Sequence, residues 1–312
     1  MENKMKIVFL DCDTLGYDIS LDEFNKFGDV VVYGFSSYEE TISRISGADI
    51  VVTNKTVIDK NIIDNSDLKL ICVAATGMNN IDLEYAKKKN IQVKNVKGYS
   101  TNSVTQLTFS FVLNFVQEFE YYTKYTNDRE WEKSKIFVNL DKPFYELKDK
   151  NWGIIGLGEI GKNVAKIATA FGSKVSYFST SGNNNCTDFE RIELEELLQN
   201  SDIITIHAPL TEDTKNLIGR KELEMLKNGA ILINVGRGGI VNENDLAEVL
   251  DEKEIYVGLD VVEIEPIKSN NPLNFIKNKN RLKMTPHIGW ASIEARNELT
   301  KGIINNIKSF VL

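Results

Sequence analysis

Only two histidines, His207 and His287, occur among the 312 residues, so proton transfer by an imidazole near neutral pH has two candidate positions. His207 follows the apolar run Ile203 to Ile206 and precedes Ala208-Pro209-Leu210. His287 stands in Thr285-Pro286-His287-Ile288-Gly289-Trp290, a loop between a short predicted strand and the last helical stretch, which is the more favourable place for chemistry. Arg237 lies where the strand pattern Ala230 to Val235 runs into Gly236-Arg237-Gly238-Gly239. Its planar guanidinium suits a carboxylate and an adjacent carbonyl oxygen, and the flanking glycines leave it room. The strand ending at Leu259 is followed by the acids Asp260, Glu263 and Glu265, one of which can sit against a histidine. Taken singly, each has an ordinary reading as a structural imidazole, a surface guanidinium or a solvated acidic turn.

A second constellation is Trp152 to Gly161, an apolar strand running into Gly156-Leu157-Gly158-Glu159-Ile160-Gly161 and then an amphipathic helix from Lys162 to Phe171 and a strand from Lys174 to Phe178. In that setting the first glycine permits a tight turn, the second lets backbone approach a pyrophosphate, and the third lets helix and strand pack closely. The helix N-terminus then offers N–H groups to the phosphates. Such a fingerprint calls for an acid at the end of the second strand to hold a ribose diol. The chain has Ser179-Thr180-Ser181-Gly182-Asn183 instead. Hydroxyls there can bind a 2′-phosphate and no carboxylate repels it, yet no arginine stands in the stretch. The cofactor reading is therefore NAD(H) or NADP(H), leaning to NADP(H).

The elements that must position these residues alternate. Lys6 to Leu10, Val30 to Tyr33, Ile50 to Thr53, Leu70 to Ala74 and Ile91 to Val96 read as strands, with helices at Leu21 to Phe27, Tyr38 to Ile45 and Leu83 to Lys89. A helix from Thr101 to Tyr125 is long enough to bridge two lobes. After Pro143 the alternation restarts through the glycine turn, Ile203 to Ile206, Ala230 to Val235, Ile255 to Leu259 and Arg281 to Met284, and Ser292 to Val311 has helical apolar spacing. The fold class is α/β, with two Rossmann-like or flavodoxin-like lobes built on parallel sheets and the active site expected in the interlobe cleft. The expected domains are a discontinuous substrate-binding domain, 1–97 with 288–312, and a dinucleotide-binding domain, 98–287.

Composition excludes other classes. A net charge of −8 and no basic block exclude nucleic acid as a partner. The three cysteines, Cys12, Cys72 and Cys186, form no Cys-x-x-Cys, so no metal site or disulfide framework is expected and a reducing cytoplasm fits. The start, Met1 to Lys6, is unlike a signal peptide, and no apolar run is long enough for a membrane span.

The glycine fingerprint, Gly229-Ala230-Ile231-Leu232-Ile233-Asn234 through Arg237-Gly238, Asp260-Val261 through Glu265-Pro266, and Thr285 to Gly289, in this order, resemble the D-isomer-specific 2-hydroxyacid dehydrogenases over essentially the whole chain. The resemblance implies Arg237, Glu265 and His287 as the catalytic triad. It implies Gly156, Leu157, Gly158, Glu159, Ile160, Gly161, Ser179, Thr180, Ser181, His207, Ala208, Pro209, Thr214, Val235, Gly236, Asp260 and Gly289 at the cofactor, with Asp260 at its nicotinamide end. Ala74 to Asp82 is similar to the family's carboxylate-binding loop, so Asn54, Lys55, Ala75, Thr76, Gly77 and Trp290 are the expected substrate contacts. Asn95 to Gln106, Trp131 to Ser134 and Trp290 resemble the glycerate dehydrogenase, or hydroxypyruvate reductase, branch, while Thr105 replaces a more usual alanine. The implied reaction is reduction of a small 2-oxo acid such as hydroxypyruvate or glyoxylate to the D-2-hydroxy acid, and the reverse, in a cytoplasmic homodimer. The alternatives are a D-lactate or broad 2-oxo acid reductase, and a non-catalytic, nucleotide-sensing protein similar to corepressors of this fold.

Overall fold

The computed structural model describes residues 4–311, so Met1 to Asn3, part of the stretch read as unlike a signal peptide, and Leu312 lie outside the described residues. The chain forms two compact units, one running through Ser100 and resuming at Trp290, the other Thr101–Gly289.

In the first unit, β1 (Met5–Phe9), β2 (Gly28–Val32), α1 (Tyr38–Arg44), β3 (Ile50–Thr53), α2 (Lys60–Asp64), β4 (Leu70–Val73), α3 (Leu83–Lys88) and β5 (Gln92–Lys94) build a five-stranded parallel sheet in the order β2-β1-β3-β4-β5. Every residue of β3 and β4 is buried, as expected for inner strands of a parallel sheet covered on both faces. The helix expected at Leu21 to Phe27 is a 3-10 turn, Asp22–Lys26. Little chain is available there: Phe24 must turn in to meet Phe9 edge-on at 5.0 Å, and Gly28 already opens β2 so close to Met5 that a Cβ would lie 2.0 Å from its carbonyl oxygen.

The second unit contains α4 (Thr101–Gln117), α5 (Phe119–Asn127), β6 (Asn151–Ile155), α6 (Glu159–Ala170), β7 (Lys174–Phe178), β8 (Glu190–Arg191), α7 (Leu194–Asn200), β9 (Ile203–Ile206), α8 (Arg220–Met225), β10 (Ala230–Asn234), α9 (Glu243–Glu252), β11 (Ile255–Leu259) and β12 (Leu282–Met284). Its seven parallel strands run β12-β11-β10-β9-β6-β7-β8. One core packs under α7, α8 and α9 around Leu197, Ile204, Leu232 and Leu246. The other packs under α4 and α6 around Trp152, Val112, Val164 and Ile233. The final helix, α10 (Ile293–Val311), belongs to the first unit, where Leu299, Ile303 and Ile307 pack against Ile7, Leu70 and Cys72.

The single helix expected from Thr101 to Tyr125 is broken. Glu118 adopts a left-handed conformation (φ 48°) between α4 and α5. The cause is tertiary. The buried face of α4 ends at Val116, whose carbonyl accepts the N–H of Tyr145 at 2.9 Å, and α5 buries no residue at all.

Candidate active site

The glycine turn follows β6, and its three glycines answer to three separate constraints. Gly156 has φ +91°, and a Cβ there would stand 2.9 Å from the Ala208 nitrogen. A Cβ on Gly161 would stand 2.4 Å from the Gly156 carbonyl oxygen, so helix and strand touch through it. Gly158 is different, because a Cβ there would meet nothing within 4 Å. Nothing in the protein requires that glycine to be bare, whereas a ligand approaching the backbone does. Gly158 is also the N-cap of α6 and supplies no side-chain cap, so the N–H groups of the first turn, at Glu159, Ile160 and Gly161, are left for an outside acceptor. Glu159 accepts from Thr101 Oγ1 at 3.0 Å, and the Leu157 carbonyl accepts from Asn184 Nδ2 at 2.5 Å. These features fit a dinucleotide pyrophosphate.

Beyond β7, Ser179 is buried and its hydroxyl accepts from Asn184 N at 3.3 Å, while Ser181 accepts from Asn183 N at 3.3 Å. Thr180 lies half-buried between them. The two-residue strand β8 brings Arg191 to this loop, with its guanidinium 2.9 Å from the Gly182 carbonyl. The arginine missing from the local sequence is therefore supplied from nine residues downstream of Gly182.

At the end of β9, His207 N donates to Ile155 O at 2.9 Å, while both ring nitrogens are buried and neither has a hydrogen-bond partner among the described residues. Burial pushes this imidazole down to about 3, so the ring is neutral. An orphaned imidazole beside the glycine turn again fits an occupant of that region. Ala208 is buried and Pro209 exposed. Thr214 spends its hydroxyl within its own loop, donating to Pro209 O and accepting from Thr211 N, both at 2.7 Å.

The three residues expected to form the catalytic triad, Arg237, Glu265 and His287, follow β10, β11 and β12 in turn. Glu265 Oε2 lies 2.7 Å from His287 Nδ1, with both side chains partly exposed. With Nδ1 held by the carboxylate, Nε2 is the ring atom left for chemistry. His287 itself has φ +55°, a conformation its surroundings must hold. Asp260 does this. Its carbonyl accepts from His287 N at 2.8 Å, and its carboxylate accepts from Thr285 Oγ1, Ile288 N and Gly289 N at 2.6, 2.8 and 2.7 Å. Burial raises the Asp260 carboxyl above the usual range, against those three bonds and the nearby His287, which all pull it down.

Arg237 is exposed, and its guanidinium donates to Gly236 O at 2.8 Å. The turn around it is braced by buried Asn234, whose amide donates to Arg237 O at 2.9 Å and accepts from Gly236 N at 3.0 Å, with Val235 buried beneath. Among the described residues Arg237 bonds to neither Glu265 nor His287. It is linked to the Glu265 loop through backbone, because Gly238 packs so closely that a Cβ would lie 1.9 Å from Val262 O. Thr105 turns its hydroxyl to Thr101 O at 2.7 Å and accepts from Asn163 Nδ2 at 3.1 Å, which ties α4 to α6.

In the first unit, buried Asn54 and exposed Lys55 follow β3, and Ala75, Thr76 and Gly77 follow β4. Thr76 is tied by its hydroxyl to Val96 O at 3.0 Å. Trp290 packs on the core of this unit and meets Tyr99 edge-on at 6.3 Å. Sequence reasoning passed over Asp11, whose buried carboxylate accepts from Asn54 N, Lys55 N and Thr56 N at 2.8, 2.7 and 2.9 Å and from the hydroxyls of Thr53 and Thr56. It also passed over Arg191 and Asn234. Among the described residues no cluster of His, Cys, Asp and Glu is placed to hold a metal, and no helix is long and apolar enough to cross a membrane.

A glycine turn open at its second glycine and a histidine-carboxylate pair beside an arginine turn, on one parallel sheet, define a nicotinamide-dependent oxidoreductase. Comparison with known proteins agrees: the family model for the D-isomer specific 2-hydroxyacid dehydrogenase NAD binding domain matches residues 109–289. The chain is 37% identical to a hydroxypyruvate reductase of Blautia hydrogenotrophica, covering 98% of this chain and 97% of that one. It is 38% identical to a glycerate dehydrogenase of Methylorubrum extorquens, covering 98% and 96%. Among solved structures, an acyclic imino acid reductase in complex with NADPH and D-Arg superposes with a TM-score of 0.86 at 31% identity, covering 98% and 97%. The chain belongs to the D-isomer-specific 2-hydroxyacid dehydrogenases.

Proposed function

We propose that the chain reduces a small 2-oxo acid of the hydroxypyruvate or glyoxylate type to its D-2-hydroxy acid, with NADPH preferred over NADH. The observation that carries this reading is the 2.7 Å contact between Glu265 and His287 at the strand ends of the unit that also holds the open glycine turn. When bound, the reduced nicotinamide supplies the hydride. His287 gives the Nε2 proton to the carbonyl oxygen as that oxygen becomes an alkoxide. Glu265 keeps the ring in one orientation and tautomer, and Arg237 orients the acid by its carboxylate and carbonyl oxygen while balancing the growing charge. Asp260 holds the loop that carries the histidine. Asn54, Lys55, Ala75, Thr76 and Gly77 are proposed to receive the substrate carboxylate.

The preference for NADPH is supported by the absence of an acid after β7 and by Arg191 against the Ser179 to Asn184 loop, which can pair with a 2′-phosphate. A homodimer through the α4-α5 region is also proposed, supported by the exposed Phe119, Trp131, Ile136, Phe137 and Phe144. A cytoplasmic location is supported by the free state of Cys12, Cys72 and Cys186.

Initial rates with hydroxypyruvate, glyoxylate, pyruvate and bulkier 2-oxo acids, each with NADPH and NADH, test the reading. Highest kcat/KM for hydroxypyruvate or glyoxylate with NADPH is expected. Faster turnover of pyruvate or bulkier acids would make this a D-lactate or broad-specificity enzyme, a strong NADH preference would overturn the cofactor assignment, and tight nucleotide binding with no turnover would favour the sensing protein.

A further inference from the structure

Between β11 and the 3-10 turn Pro272–Phe275 the chain carries Glu265 on an exposed segment held by polar bonds, among them Val262 N to Glu265 Oε1 at 3.4 Å and Asn274 Nδ2 to Lys268 O at 3.0 Å. Residues 263–270 are all exposed and form no regular element. Apolar burial does not fix such a loop, yet Glu265 must stay within hydrogen-bonding distance of His287. The two ends of the segment converge on one side chain. Glu243 Oε1 accepts from Glu263 N at 2.5 Å, and its Oε2 accepts from Asn271 Nδ2 at 2.6 Å. Both Glu243 and Asn271 are buried, and Asn271 in turn caps the 3-10 turn through Leu273 N at 3.0 Å.

Glu243 is the first residue of α9, where an acid ordinarily serves the helix N-terminus. That task is already done by Asn242, whose side chain accepts from Asn244 N and Asp245 N at 3.1 Å each. Among the described residues Glu243 makes no ion pair, so a buried carboxylate is kept there without a cation, at a cost in desolvation. Its bonds go to the segment around Glu265, which is itself linked to the Arg237 turn by the close approach of Gly238 to Val262.

We propose that Glu243 is a positioning residue of the proton-transfer pair, which clamps both ends of the 263–271 loop and so sets Glu265 against His287. This deepens the function proposed above and rests on Glu265 and His287 acting as the pair.

The test is a double-mutant cycle in the full-length enzyme with hydroxypyruvate and whichever reduced nucleotide the wild type turns over faster. Glu243→Gln keeps the shape and loses the charge and one acceptor. It should lower kcat about tenfold, with KM and nucleotide Kd within about twofold. In a Glu265→Gln background the same change should cost less than about twofold, because the loop then has no carboxylate to position. Asn271→Ala cuts the clamp from its other end and should lower kcat about threefold, again only while Glu265 is present; it serves equally if Glu243→Gln does not fold. Equal losses in both backgrounds, or native kcat in Glu243→Gln while Glu265→Gln is impaired, would overturn the assignment of Glu243 alone. Native kcat in Glu265→Gln would instead overturn the pair and, with it, this proposal.

Discussion

The first strand of each sheet, β1 in one unit and β6 in the other, lies between two parallel neighbours, β2 and β3 or β7 and β9. Both strand ends meet backbone N–H groups supplied by a neighbouring loop or helix start, those of Asn54 to Thr56 at β1 and those of the first turn of α6 at β6. The first unit answers with its own anion. Asp11, two residues beyond β1, accepts from three consecutive backbone N–H groups at Asn54, Lys55 and Thr56. The second unit answers with glycine and leaves the space beside Gly158 open. A strand end that carries its own carboxylate is closed to a phosphate, whereas one without a side chain is available to it. Two sheets of similar construction thus divide the work, and the phosphate fingerprint belongs to only one.

Exchanging the two solutions should break the division. Asp11→Ala strips the acceptor from buried N–H groups and should destabilise the protein by about 3 kcal/mol, measured by urea unfolding. A loss under about 0.5 kcal/mol would show that the Asn54 loop stands without it. Gly158→Asp puts a carboxylate where the phosphates are expected. It should leave the fold intact, because a Cβ there meets nothing within 4 Å, and weaken nucleotide binding about a hundredfold through charge repulsion. Unchanged nucleotide affinity, read by fluorescence titration, would place the cofactor elsewhere.

His207, half-buried beside that turn with both ring nitrogens buried, acts only as the pH falls. Its ordinary value is 6.5, and burial lowers it to about 3 in the folded protein. The unfolded ring therefore takes up a proton first as the pH falls, so the stability that His207 contributes above pH 6.5 is lost progressively toward pH 3. The loss approaches about 1.4 kcal/mol per pH unit between those limits. His207→Phe should remove that component, so that its unfolding free energy falls less steeply with acid than the wild type's. Parallel curves for the two proteins would mean that the wild-type ring nitrogens are not buried.

Much of this was legible because the informative groups are local. The glycine turn, the β10 segment ending at Arg237 and the His287 loop each occupy about a dozen residues or fewer, and β3, β7, β9 and β11 begin and end where the apolar runs do. The rest depends on distant partners. Asp11 reads as an acid in a turn until Asn54 arrives from 43 positions away, and Arg191 is invisible at the ribose end until β8 pairs with β7. Glu118 breaks a helix without glycine or proline, because the break is imposed by Tyr145 on Val116. Glu243 looks like a helix-terminal acid until its bonds to Glu263 and Asn271 are seen.

The proposed reduction depends above all on His287 as its proton donor. Single-turnover reduction of hydroxypyruvate by His287→Ala, followed by loss of reduced-nucleotide absorbance with nucleotide affinity measured alongside, tests it most directly. The expected result is a rate lowered about a thousandfold with nucleotide affinity close to that of the wild type. A rate within about threefold of the wild type would contradict it.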